Sequence, residues 1–361
     1  MKKITVILVI TIVVSIVTVY GFAQTYQPGN LTKNASMVAR LNPPEQDKTE
    51  SDYWRVEKKI RLFHFSDGKG RTVLMLHGGP GYPFTEPWKG LRLINKNYEF
   101  TYYHQRGCGK STRPVKSFKT KNFLVNANLL EFSLGLTTQI ADIERIRRIT
   151  GQEKLILIGH SFGAFLSAFY AVEFPDKVEA MILISPADVL VFPQESGGLY
   201  ELVEDLLPEG MEDEYADFLE RYFDFGDIFS KTEDDLVALN AEFEKYYGEA
   251  YKSTGMQLPK GGPSVENGGW MVHAMFLSMG MQHDYRQALR NVKAPVLIMH
   301  GEKDLMPLEA CKTYDELFPN SRLVVINNAG HFSFDEQPEQ FAKAVESFLK
   351  SSLTGQAVKK R

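Results

Sequence analysis

Cysteine is nearly absent. Cys108 and Cys311 are the 2 in 361 residues. They lie far apart and without metal-ligand spacing, which excludes a disulfide framework and a cysteine-based zinc site. No H-E-x-x-H or comparable cluster is present, so metal-assisted chemistry has no ligand set to point to. A Gly-rich nucleotide fingerprint is missing too, and no cofactor is expected. Positive charge is not in excess: the formal net charge is −4 and no basic patch stands out. Nucleic acid is therefore not an expected partner.

Long uncharged runs are confined to the N-terminus. Met1, Lys2 and Lys3 precede an apolar run, Ile4 to Val19, and Gly21-Phe22-Ala23 supplies small residues for cleavage after Ala23. Residues 1–23 read as a signal peptide. Because the uncharged stretch continues to Asn30, an uncleaved membrane anchor is the rival reading. Either way the body is expected outside the cytoplasm, touching a membrane only through this segment if it is uncleaved. No Cys follows the run, so a lipoprotein anchor has no acceptor. The polar, Pro-containing residues 24–50 read as a linker.

What is present centres on Lys154 to Ala164. Four apolar residues, Leu155 to Ile158, run into Gly159-His160-Ser161-Phe162-Gly163, and a helical pattern follows. This is G-x-S-x-G between a strand and a helix, a turn so tight that its serine is strained and its neighbours must lack bulk. The turn lifts the Ser161 hydroxyl beside a helix N-terminus, where N–H groups face developing negative charge. Ser161 is the candidate nucleophile. Upstream, the strand Arg71 to Leu76 runs into His77-Gly78-Gly79-Pro80-Gly81. Such a loop allows close backbone approach; Gly79 is the expected oxyanion donor with Gly78 as the alternative donor, and Phe162 N–H is the second donor.

A serine hydroxyl needs a base within reach and a group that orients the base. His331, after the last expected strand, is the candidate base, and Asp304, after the preceding strand, the candidate orienter. Asp188 is the rival acid. His77 and His160 read as loop supports, while His300 and Arg106 read as structural. The order Ser161, Asp304, His331 is the one an α/β-hydrolase arrangement requires. Strands alternate with helices on both sides of residues 187–290, which implies a mostly parallel central sheet flanked by helices. Within 187–290 the rhythm stops, and Tyr, Phe, Leu and Met recur at helical spacing around a break at Gly261-Gly262-Pro263. These residues read as a helical cap inserted after the sixth strand. Core segments are expected at 51–186 and 291–352, with a tail at 353–361. The cap is acidic: Glu201 to Glu249 holds 17 Asp or Glu against Arg221, Lys231 and Lys245.

The chain resembles the α/β-hydrolases, and among them the proline iminopeptidase (prolyl aminopeptidase) family. His77-Gly78-Gly79-Pro80-Gly81 matches that family's oxyanion loop. Gln105-Arg106-Gly107-Cys108-Gly109-Lys110-Ser111 follows its D-Q-R-G-x-G-x-S block, with His104 in place of the Asp. The elbow departs, reading G-H-S-F-G where the family has G-G-S-W-G, a form equally at home in esterases. The resemblance implies cap glutamates that hold a substrate's free α-amino group beside an apolar pocket. Glu266 resembles one such position and Glu242 or Glu244 another; Trp270, Phe276 and Tyr285 are candidates for the pocket, with core packing the favoured role for each. The implied activity is a serine hydrolase that releases an N-terminal residue, proline-type, from short peptides. The alternatives are a carboxylesterase acting on small esters, and a ligand-binding protein of this fold with little turnover.

Overall fold

The computed structural model describes residues 25–194, 198–259 and 266–353. The expected signal peptide or anchor, the glycine break at 261–263 and the tail beyond 353 lie outside these residues. Among the described residues no helix is long and apolar enough to cross a membrane.

The strands are β1 Tyr53–Glu57, β2 Ile60–Gly68, β3 Arg71–Leu76, β4 Tyr98–Tyr103, β5 Leu155–His160, β6 Val178–Ile184, β7 Val191–Phe192, β8 His283–Asp284, β9 Val296–Gly301 and β10 Ser321–Ile326. Eight form one sheet in the order β1-β2-β4-β3-β5-β6-β9-β10. From β4 to β10 all neighbours are parallel; β1 and β2 form an antiparallel hairpin at one edge. Strands β5, β6 and β9 bury every residue, apart from half-buried Glu179, as a sheet covered on both faces requires.

Helices Leu136–Ile149 and Phe162–Glu173 cover one face, with Ile140, Ile143, Phe165 and Phe169 in its core. Helix Pro338–Leu353 covers the other with Phe341, Val345 and Phe348. The periodicity of both amphipathic helices is legible in the sequence. Helix Phe123–Leu134, capped by the Asn122 side chain, has no counterpart in the sequence reading. After β6 the chain leaves the sheet as expected. It forms helices Leu199–Leu206, Glu212–Tyr222, Glu233–Ser253 and Trp270–Met279, plus the two-stranded ribbon β7–β8.

The linker expectation is overturned for residues 25–41. Tyr26, Leu31 and Leu41 are buried, and the Tyr26 hydroxyl and the N–H groups of Gly29 and Leu31 all donate to the Glu173 carboxylate. Burying three apolar side chains outweighs the extended character that Pro and polar residues suggest.

Candidate active site

Strand β5 ends in the turn the glycines require. Ser161 sits at φ 53 and ψ −119, a conformation that costs a non-glycine residue roughly 1–3 kcal/mol. Flanking hydrogen bonds hold it there: Ser161 N–H donates to the Ile184 carbonyl (2.9 Å) and Ala187 N–H to the Ser161 carbonyl (3.1 Å). A Cβ on Gly163 would run into the Leu76 carbonyl, and one on Gly78 would come within 2.9 Å of the Ser161 Cβ. Bulk is excluded on both sides of the serine. Phe162 is the first residue of the following helix, so its N–H has no partner within that helix.

Asp304 follows β9 and His331 follows β10. The His331 Nδ1–H faces both carboxylate oxygens of Asp304 at 3.0 Å, which leaves Nε2 as the proton-accepting nitrogen. Asp304 is fully buried. Burial alone would raise its pKa, but His331 and His300 outweigh it and hold the carboxyl below its usual range. His331 Nδ1 is bound to Asp304 and not to the rival Asp188. Ser161, His331, Gly78 and Gly79 line a single cavity of about 340 Å³ at the C-terminal edge of the sheet, where ligands bind in parallel α/β folds.

The other histidines serve the loops. His77 Nδ1 donates to the Gly78 carbonyl (3.0 Å) and its Nε2 accepts the Gln105 N–H (3.0 Å), which fixes one neutral tautomer. His160 Nε2 donates to the His331 carbonyl at 2.9 Å. Burial lowers both rings to a pKa of about 3. His300 lies 4.0 Å from Asp304. Arg106 grips Asp142 with two bonds of 2.8 and 2.7 Å, both side chains buried. His104 replaces the family's Asp by bonding the Phe84 carbonyl and the Lys110 N–H.

The cap candidates separate sharply. Glu244 lines the cavity beside Tyr82, Phe243, Tyr247 and Leu258. It is half-buried, its Oε2 has no hydrogen-bond partner, and burial raises its pKa. Glu242 points away and forms a salt bridge with Arg221 on the surface. Glu266 is not in the cavity wall; its carbonyl accepts N–H groups of Gly109 and Arg113. Trp270 is core: it is fully buried against Phe118 and Phe229, with its backbone N–H held by Glu233. Tyr285 packs on Tyr26 and Phe169, and Phe276 on Phe223 and Phe225, so neither reaches the cavity.

Sequence reasoning missed Tyr251 and Glu336. The Tyr251 hydroxyl, on a cap helix, accepts the His331 N–H (2.6 Å) and donates to Glu336 (2.8 Å), which also accepts the Gly330 N–H (2.6 Å). The cap thereby grips the histidine loop. Helical spacing carries the signal: Glu244, Tyr247 and Tyr251 stand at i, i+3 and i+7 on one face.

The alpha/beta hydrolase fold family matches residues 71–338. The chain belongs to that family. Among curated relatives, this hydrolase resembles the proline iminopeptidase of Saccharolobus solfataricus, 24% identical over 292 residues that cover 78% of this chain and 86% of the relative. A Neisseria meningitidis proline iminopeptidase is 26% identical over 328 residues, covering 83% and 96%. An esterase from Exiguobacterium antarcticum superposes with a TM-score of 0.53 at 24% identity, covering 81% of this hydrolase and 96% of the esterase. That likeness shows the fold alone. Among the described residues, no group of three or more His, Cys, Asp or Glu could hold a metal.

Proposed function

We propose that this hydrolase works through Ser161 as nucleophile, His331 as base and then acid, and Asp304 as the carboxylate that fixes the His331 tautomer. The Ser161 oxygen attacks a substrate carbonyl while its proton passes to His331 Nε2. The N–H groups of Gly79 and Phe162 receive the oxyanion, with Gly78 keeping the approach open. Collapse expels the leaving group, which takes the proton from His331, and water repeats the sequence on the acyl-enzyme.

The substrate we propose is a short peptide with a free N-terminal residue, proline-type. The observation that carries this is Glu244. A carboxylate with one oxygen left without a hydrogen-bond partner, set among Tyr82, Phe243 and Leu258 in the same cavity as Ser161, has the charge to pair with an ammonium and the surroundings to hold an apolar ring. The relatives named proline iminopeptidase support the same reading. An exported location is part of the proposal and rests on the sequence of Met1 to Ala23.

The experiment compares prolyl-p-nitroanilide with p-nitrophenyl acetate on the wild type and on Glu244→Gln. For the anilide, KM should rise by about 10- to 100-fold in the variant, as expected for loss of a charge-assisted contact of about 1.5–3 kcal/mol; the ester should be little affected. Ester turnover without anilide turnover in the wild type would retire the peptidase reading in favour of the esterase.

A further inference from the structure

Helix Phe123–Leu134 carries large apolar residues on both of its sides, with Asn126 buried and Asn128 exposed among them. Its inner face buries Ala127, Leu130 and Leu134. Its outer face leaves Leu124, Val125, Leu129 and Phe132 each more than 50% exposed. Its one charged residue, Glu131, is turned inward against Thr25 and Ser278, and burial raises its pKa. A surface helix normally turns charged residues to water, and one that presents four large apolar side chains side by side marks a contact surface. These four are most of the exposed large hydrophobic residues among the described residues.

Two further observations say what covers it. First, the described chain begins beside this helix. Thr25, the first described residue, donates its N–H and hydroxyl to the Ser278 carbonyl, and the Ser278 hydroxyl accepts the N–H of Leu136, two residues past the helix. Twenty-four residues lie upstream of that point. Second, exposed Lys116, Lys119 and Lys121 approach the helix from its N-terminal side, the sign that suits anionic headgroups. Towards the other end of the helix Arg40 stacks over the Phe132 ring at 3.7 Å, and Val38, in the short helix Ala35–Arg40, is exposed as well.

We propose that the outer face of helix Phe123–Leu134 is a membrane-docking surface. It seats the body on an anionic bilayer beside Thr25, where the described chain begins. Leu124, Val125, Leu129 and Phe132 sink into the interface while the lysines meet phosphate groups, the arrangement of an interfacial helix with one greasy face and a cationic flank. This surface is independent of the reaction catalysed.

The test uses the full chain carrying Leu129→Cys, labelled with an environment-sensitive nitrobenzoxadiazole dye. Cys108 and Cys311 are buried and should not compete for label. Glu339→Cys is the control, on an exposed site of the helix that covers the opposite face of the sheet. On phosphatidylcholine vesicles containing phosphatidylglycerol, the dye at 129 should shift to the blue and be quenched by doxyl-labelled lipid, while the dye at 339 should do neither. Equal, unquenched emission from both sites overturns the proposal. So does a blue shift at 129 without lipid: if independent of protein concentration it assigns the face to the chain's own N-terminal segment, and if it grows with concentration it assigns the face to a second copy.

Discussion

The floor and the roof of the cavity are built on opposite terms. On the floor the rings and the acid are spoken for: His77 is bonded through both ring nitrogens, His160 holds the His331 carbonyl, and Asp304 is committed to His331. On the roof, Glu244 keeps an oxygen without a partner between aromatic rings. Fully satisfied buried networks fix geometry, whereas a half-buried polar group left unpaired has to find its partner in a ligand or in water. In the proposed function the floor defines the reaction, and the roof defines what is admitted to it.

The largest expected effect breaks the floor. Gly163→Val would drive a side chain into the Leu76 carbonyl, and backbone cannot yield there. A loss of more than about 4 kcal/mol is expected, read as a collapse of soluble yield or of the denaturant midpoint. A near-wild-type midpoint would show that the turn is less crowded than it looks.

Acid comes next. His77 and His160 stay neutral in the fold because burial lowers them to about 3, while the unfolded chain binds protons below about 6.5. The unfolded state then carries more protons, so stability should fall as pH drops from about 6.5 towards 3. Each ring should cost up to about 1.4 kcal/mol per pH unit. Chemical denaturation at a series of pH values reads the slope, and a flat profile across this window would mean the rings are solvated.

The smallest effect probes the seam between the two regions. Tyr251→Phe removes the hydroxyl that joins a cap helix to the His331 N–H and to Glu336. A fall in kcat of about tenfold with KM nearly unchanged is expected, since the histidine loop would be less firmly placed. A change in KM alone would make Tyr251 part of the roof instead.

How much of this is legible in the sequence follows the same division. Ser161, Asp304, His331 and the glycine loop stand where strands end, and strand, turn and glycine are all local signals. Glu244 was one of three glutamate candidates, and charge could not choose among them. Residues 242 and 244 are two positions apart, about 200° around a helix, so one of them faces Arg221 and solvent while the other faces the cavity. Only the docking of the helix decides which. Trp270, Phe276 and Tyr285 take the core role, and the sequence leaves the choice open for a related reason: aromatic side chains at helical spacing look the same whether they fill a core or line a pocket. The segment 25–41 reads as a linker because its partner, Glu173, lies more than 130 residues away, beyond the reach of any local pattern.

The most direct measurement is a covalent one. The protein should be treated with a fluorophosphonate, digested and analysed by mass spectrometry, alongside His331→Ala and Asp304→Asn. The prediction is one adduct on the peptide that carries Ser161, formed far more slowly when either partner is replaced. An adduct on another residue, or labelling of Ser161 that is indifferent to His331, would contradict the assignment of these three side chains to one catalytic unit.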